Sequence, residues 1–202
     1  MQDTTTFIIT EEKEYQDCEM DKVVATGLDL SDSWFSHIAF GHGWFDRTNF
    51  RDCSLVNVMF LSCDLSESVF GGSHFKGCTF SGCKFLGSSF SDVVLQECRF
   101  ADCIFNYGTW DKSRLKKEVE FSSCSFKNAG FTSIAFSVPP TFHTCDFTEA
   151  TFTGTSLKGI DLSACTLDGI IVSDDFKELR GLKISHDQAA AMANLLGITV
   201  EG

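Results

Sequence analysis

Large apolar side chains recur at every fifth position. Tyr15, Met20, Ala25, Leu30, Phe35, Phe40, Phe45, Phe50, Leu55, Phe60, Leu65, Phe70, Phe75, Phe80, Phe85, Phe90, Leu95, Phe100, Phe105, Trp110 and Leu115 keep one unbroken register. The register slips by one residue, resumes at Phe121, Phe126, Phe131 and Phe136, slips again, and runs on through Phe142, Phe147, Phe152, Leu157, Leu162 and Leu167. Of the 21 Phe, 19 are such centres. Two places before nearly every centre stands a small or β-branched residue, among them Cys18, Val23, Ser33, Thr48, Cys53 and Ser68, with no charge at this position from Cys18 to Ser113. A period of five matches neither a helix at 3.6 nor a strand at 2.0, so the chain has to turn after every repeat and wind into a coil.

The repeats CTFSG, CKFLG, SSFSD and CRFAD resemble the A(N/D)LXX pattern of pentapeptide-repeat proteins, and the resemblance spans roughly Tyr15 to Val172. It implies an all-β fold, a right-handed quadrilateral parallel β-helix with four repeats per turn. The centre and the residue two before it then point inward. Counting Val172, the repeats make about eight coils, roughly 38 Å at the ~4.8 Å spacing of parallel strands. Neighbouring turns hold one another, so both ends need covering. Residues 1–14 are expected as an N-terminal cap, 15–172 as the coil with interruptions near 106–120 and 137–141, and 173–202 as a C-terminal helix and strand used for dimerisation.

The ten Cys suggest a metal or disulfide framework, yet all ten sit two places before a centre. With four repeats per turn, Cys63, Cys83, Cys103, Cys124, Cys145 and Cys165 stack on one face as a thiol ladder. Parallel side chains running into a packed interior do not converge on zinc, and free Cys there acts as a small buried hydrophobe. No cofactor or metal is expected. His37, His42, His74 and His143 all take outward positions and His186 lies in the C-terminal segment, so no base approaches the inward Ser and Cys. The chain reads as a binding protein and not as an enzyme. Its net charge of −12 argues against direct nucleic-acid binding, and the absence of a signal-like N-terminus or a long apolar run points to the cytoplasm without a membrane span.

Three departures from the repeat mark candidate functional segments. Around Asn106–Glu120, Trp110 replaces the usual centre and Lys112, Arg114, Lys116 and Lys117 cluster beside Asp111. This is either a solvated loop with compensating acids or a projecting partner-contact loop made of Trp110, Asp111, Lys112, Arg114, Lys116 and Lys117. Pro139-Pro140 interrupts the ladder in SVPPT, because proline donates no hydrogen bond. After Val172 the repeat fades into SHDQAAAMANLLG, a predicted helix with Ser185 and Gln188 as capping box and Gly197 as stop. Its stripe of Ala189, Met192, Ala193 and Leu196, followed by a strand with Ile198 and Val200, has to cover the coil end, bind another copy, or both.

The segment LRGLKISHDQAAAMANLLGITV is similar to the C-terminal end of Qnr-type quinolone-resistance proteins and, more loosely, the chain resembles microcin- and albicidin-immunity proteins. This resemblance implies a homodimer and an acidic rod that mimics DNA, binds DNA gyrase or topoisomerase IV, and protects it from quinolones or other poisons. By the four-repeat count Asp46, Asp64, Glu67, Asp146, Glu149 and Asp168 form an acidic face shared with Lys84. From Tyr15 to Val172, 19 acids stand against 12 basic residues, whereas duplex DNA carries about 22 charges over ~38 Å, so the mimicry is partial. The early projecting loop of the Gram-negative Qnr proteins is missing, which favours gyrase binding over drug protection. The alternative is a scaffolding repeat protein with another protein partner.

Overall fold

The computed structural model describes residues 13–195 and 197–199. The chain climbs as a four-sided coil whose rungs pair in parallel with those one turn above and below. Strands β1 (Glu14–Asp21) and β2 (Trp34–Gly41) each bend across two faces. Above them the first face is built from β3 (Ser54–Val56), β5 (His74–Lys76), β7 (Val94–Gln96), β9 (Arg114–Leu115) and β11 (Ala135–Phe136). The second face is built from β4 (Met59–Leu61), β6 (Thr79–Ser81), β8 (Arg99–Ala101), β10 (Glu120–Ser122) and β12 (Thr141–His143). Single bridges carry the other two: Val24, Trp44, Asp64, Lys84, Ile104, Ser125, Asp146 and Thr166 on the third face, and Asp29, Asn49, Val69, Ser89, Thr109, Gly130, Thr151 and Ile171 on the fourth.

The centres stack inside these faces. Phe60, Phe80, Phe100, Phe121 and Phe142 lie on one another with ring centroids 4.8–5.1 Å apart. Each ring so buried stabilises the coil by about 1.5–3 kcal/mol. The small residue two places earlier has a second role, because its hydroxyl or thiol meets a backbone carbonyl of the turn below. Ser68 Oγ donates to the Phe45 carbonyl (2.6 Å), Ser88 Oγ to that of Leu65 (2.7 Å), and Cys83 Sγ lies 3.4 Å from that of Phe60. Buried polar groups are thus satisfied at most places where the wall turns, with the Ser33 hydroxyl an exception among the described residues. The corner residue two places after most centres takes a left-handed φ, as at Asn57 (53°) and Gly72 (76°), and at the first slip this shifts to Glu118 (48°). At Gly72 a Cβ would also run into the Asp52 carboxyl of the coil below.

The cysteines are free, and all except the half-buried Cys18 are buried in the wall. Burial pushes the Cys53 thiol up to about 11, and contact with the Cys83 thiol together with burial raises Cys63 above the ordinary thiol range. Their stacking is the expected ladder.

Both register slips fall at the corner between the first and second faces, in consecutive coils. At the first, Lys116 N–H donates to the Leu95 carbonyl (2.9 Å), Glu97 N–H to Lys117 (2.6 Å), and buried Val119 takes the inward position. At the second, Ser137 N–H donates to Leu115 (3.1 Å) and Thr141 N–H to Val119 (3.0 Å), which bridges Pro139 and buried Pro140. Stacking the bulges keeps every rung above them in step. The expected excursion near 106–120 therefore does not leave the coil. Trp110 is 1% exposed and stacks on Phe90 with centroids 4.1 Å apart, because its position in the register makes it a centre like any other.

The coil closes through a 3₁₀ turn, Lys177–Leu179, and helix α1, His186–Leu195. Ser185 N–H donates to Gln188 Oε1 (2.6 Å), and Gln188 N–H lies 3.4 Å from Ser185 Oγ, the capping box read from the sequence. The Gln188 side chain also donates to the carbonyls of Leu162 (2.9 Å) and Cys165 (2.6 Å), which hooks the helix onto the last coil. Gly197 takes a φ of 75° at the helix end. The N-terminal cap lies outside the described residues up to residue 12, and Glu14 already belongs to β1.

Candidate interaction faces

The six carboxylates assigned to one face do share the third face, but as two groups. Asp46, Asp64 and Glu67 occupy neighbouring coils near one end and Asp146, Glu149 and Asp168 neighbouring coils near the other. Lys84, Ile104 and Ser125 separate Asp64 from Asp146, about 19 Å at the spacing of parallel strands. A continuous negative stripe is absent because the phase of the repeat, which decides the face, does not decide which turns carry acids. The Thr26 hydroxyl (2.6 Å) and the Arg47 guanidinium (3.1 Å) hold the Asp46 carboxyl below the ordinary range. Partial burial works against Asp146, yet Thr148 (2.6 Å) and the Lys127 ammonium (3.0 Å) keep it below that range too.

Between and beside the acids the same face exposes large apolar side chains: Trp44 at 47%, Leu86 at 45% and Tyr107 at 63%. The sequence reading did not single these out. Their signal was available, since each takes an outward phase of the repeat, where no core demand calls for an aromatic or aliphatic residue. Exposed Trp and Tyr are favoured anchors of protein interfaces.

The central segment divides. Trp110 is core and therefore no contact residue. Asp111 is half-buried on the fourth face, and Lys112 sits at the corner leading to the first face. Arg114 and Lys116 lie exposed on the first face, and Lys117 pairs with Glu97 (3.0 Å) at the next corner. The run is thus spread over the wall of a coil and not gathered in a loop.

At the C-terminus Met192 turns toward the coil and packs against its core, whereas Ala189 is exposed and Ala193 half-buried. Ile198 is 54% exposed and, with Thr199, belongs to no strand. A strand needs a partner, and the described residues offer none here. Leu196 and Val200 lie outside the described residues.

The histidines line outward positions: His42 Nδ1 lies 2.8 Å from Asp21, His37 3.8 Å from Asp17 and His143 3.8 Å from Glu120. Among the described residues no three His, Cys, Asp or Glu side chains are grouped to hold a metal ion, and no helix is long and apolar enough to cross a membrane. Inside the coil, level with the second bulge, an apolar cavity of about 30 Å³ is lined by Trp110, Phe136, Pro140 and Phe142 among others. Trp110 Nε1 has no hydrogen-bond partner.

Two models of one family match the coil: "pentapeptide repeat region" over residues 73–138, and "pentapeptide repeats (8 copies)" over 35–72 and 145–169. The chain belongs to the pentapeptide-repeat family. No curated protein matches this pentapeptide-repeat chain. Solved structures similar to it include a trypsin-treated form of QnrB1, a plasmid-mediated fluoroquinolone resistance protein, at 17% identity over 91% of this chain and 87% of that one, with a TM-score of 0.40. A second is HetL, a pentapeptide repeat protein involved in heterocyst differentiation regulation from the cyanobacterium Nostoc, at 14% identity over 88% and 93%, with a TM-score of 0.35. A third is Rfr23 from the cyanobacterium Cyanothece, at 11% identity over 83% and 88%, with a TM-score of 0.27. These likenesses concern the coil and not its surface.

Proposed function

We propose that this pentapeptide-repeat protein is a non-catalytic binding protein whose partner is a bacterial type II topoisomerase, DNA gyrase or topoisomerase IV, and that it relieves poisoning of that enzyme. The observation that carries the reading is the third face, where carboxylates at both ends flank exposed Trp44, Leu86 and Tyr107. A rigid wall of this kind offers acids to a basic DNA-binding surface and aromatic anchors to its apolar patches. The Qnr-like C-terminal sequence supports the same reading and adds a homodimer formed through Ala189, Ala193 and Ile198, with Leu196 and Val200.

Supercoiling by purified gyrase, with this protein titrated in and with or without ciprofloxacin, tests the proposal. Inhibition of the bare enzyme or rescue of the poisoned one is expected, and both should weaken in the Asp64→Asn/Glu67→Gln variant. No effect on gyrase or on topoisomerase IV at micromolar protein would leave a scaffold with a different partner.

A further inference from the structure

The net charge of −12 hides one face of opposite sign. On the first face, the two outward positions of each rung carry no carboxylate from Trp34 to Lys158 among the described residues, but they do carry Lys76, Arg114, Lys116 and Lys158. All four are exposed, and none has an ion-pair partner among the described residues. Lys76, Lys116 and Lys158 occupy one column, in every second coil, about 9.6 Å apart at the parallel-strand spacing. Exposed Arg180 continues the column, because Gly159 N–H donates to Gly181 (2.9 Å) and so lays that segment over Lys158. The nearest acids stand at the corners and not on the rungs: Asp32, Asp52 and Asp92 along one edge, and Glu97, held by Lys117 (3.0 Å), with Glu118 along the other.

We infer that this face binds the phosphate backbone of duplex nucleic acid, without reading its sequence. A protein partner fits the face poorly. From Ser54 to Ser137 its outward positions expose no large apolar side chain that could anchor an interface. Isolated ion pairs in water add little, so carboxylates of another protein would gain little from these flexible cations. A polyelectrolyte differs, because each neutralised phosphate releases condensed counterions. From Lys76 to Arg180 the column spans about 24 Å, along which one strand presents roughly seven phosphates, enough to meet every cation. The carboxylates of the third face then keep a duplex off that side. Net charge argues against such binding only if charge is averaged over the whole surface.

Fluorescence anisotropy of a labelled 20-base-pair duplex of arbitrary sequence, titrated with the full chain at several salt concentrations, tests the inference. Four phosphate contacts predict a slope of log K against log salt near −3.6, about a 150-fold loss of affinity between 50 and 200 mM KCl. Lys116→Gln should make the slope shallower by about 1. Arg114→Glu/Lys116→Glu should abolish binding, and Lys84→Gln on the third face should leave it unchanged. Circular dichroism checks that each variant is folded, and Lys76→Gln/Lys158→Gln serves as a second, independent pair. No binding at 25 mM salt, unchanged binding by the charge-reversed variant, or binding to phosphatidylserine vesicles without binding to the duplex would each overturn the inference.

Discussion

The coils below the slips and the bulged corner at the slips follow one repeat but are packed differently. From Phe35 to Trp110 the centres are at most 1% exposed. At the bulges, Phe131 is 8% exposed, Phe136 and Phe142 are half-buried, and a cavity opens beside them, whereas Phe126 and Phe147 in the same coils are fully buried. One inserted residue per turn leaves the backbone ladder intact while it loosens the interior. Hydrogen bonds between coils need only a matching offset, which the stacked bulges supply, whereas side-chain packing needs the walls at a constant separation.

The largest expected effect breaks the tighter region. Phe80→Ala should destabilise by about 3–5 kcal/mol in urea denaturation, and Phe142→Ala, already beside a void, by about 2–3 kcal/mol. Equal losses would mean that the two regions are packed alike. Next is Gln188→Ala, which removes two hydrogen bonds from the helix to the last coil and should cost about 1–2 kcal/mol. Hydrogen exchange over 186–195 should then accelerate while the coil stays protected; unchanged exchange would show that Met192 alone docks the helix.

Acid should act on the same upper end. Buried Glu178 accepts hydrogen bonds from Gly154 N–H (2.8 Å) and Ser173 Oγ (2.6 Å), and these outweigh burial to hold its carboxyl below the ordinary range. A depressed folded value means that its contribution is present above the unfolded value, about 4.3, and is lost as pH falls through the folded one. Melting of the upper coils should therefore become more acid-sensitive below about pH 4 in the parent than in Glu178→Gln. An identical pH profile for the two would remove this role.

Smaller still, Trp110→Phe should stay within about 1 kcal/mol of the parent, because the unpaired indole N–H that it removes offsets lost packing. Trp44→Ser and Tyr107→Ser should change stability by less than about 0.5 kcal/mol yet weaken gyrase inhibition, which separates the surface from the core.

The sequence by itself determined the coil, the inward centres, the thiol ladder and the capping box, because each rests on spacings of a few residues and local sterics. It misjudged Trp110, since an aromatic beside a basic run reads alike whether it fills a core or a loop. Only the register of neighbouring coils, with backbone partners on both sides, keeps that segment in the wall. Tertiary structure alone decided which outward residues share a face. Lys76, Lys116, Lys158 and Arg180 are far apart in the chain and become one column, with Arg114 beside it, because successive turns bring the same phase together, whereas net charge adds acids and bases without regard to the direction in which they point.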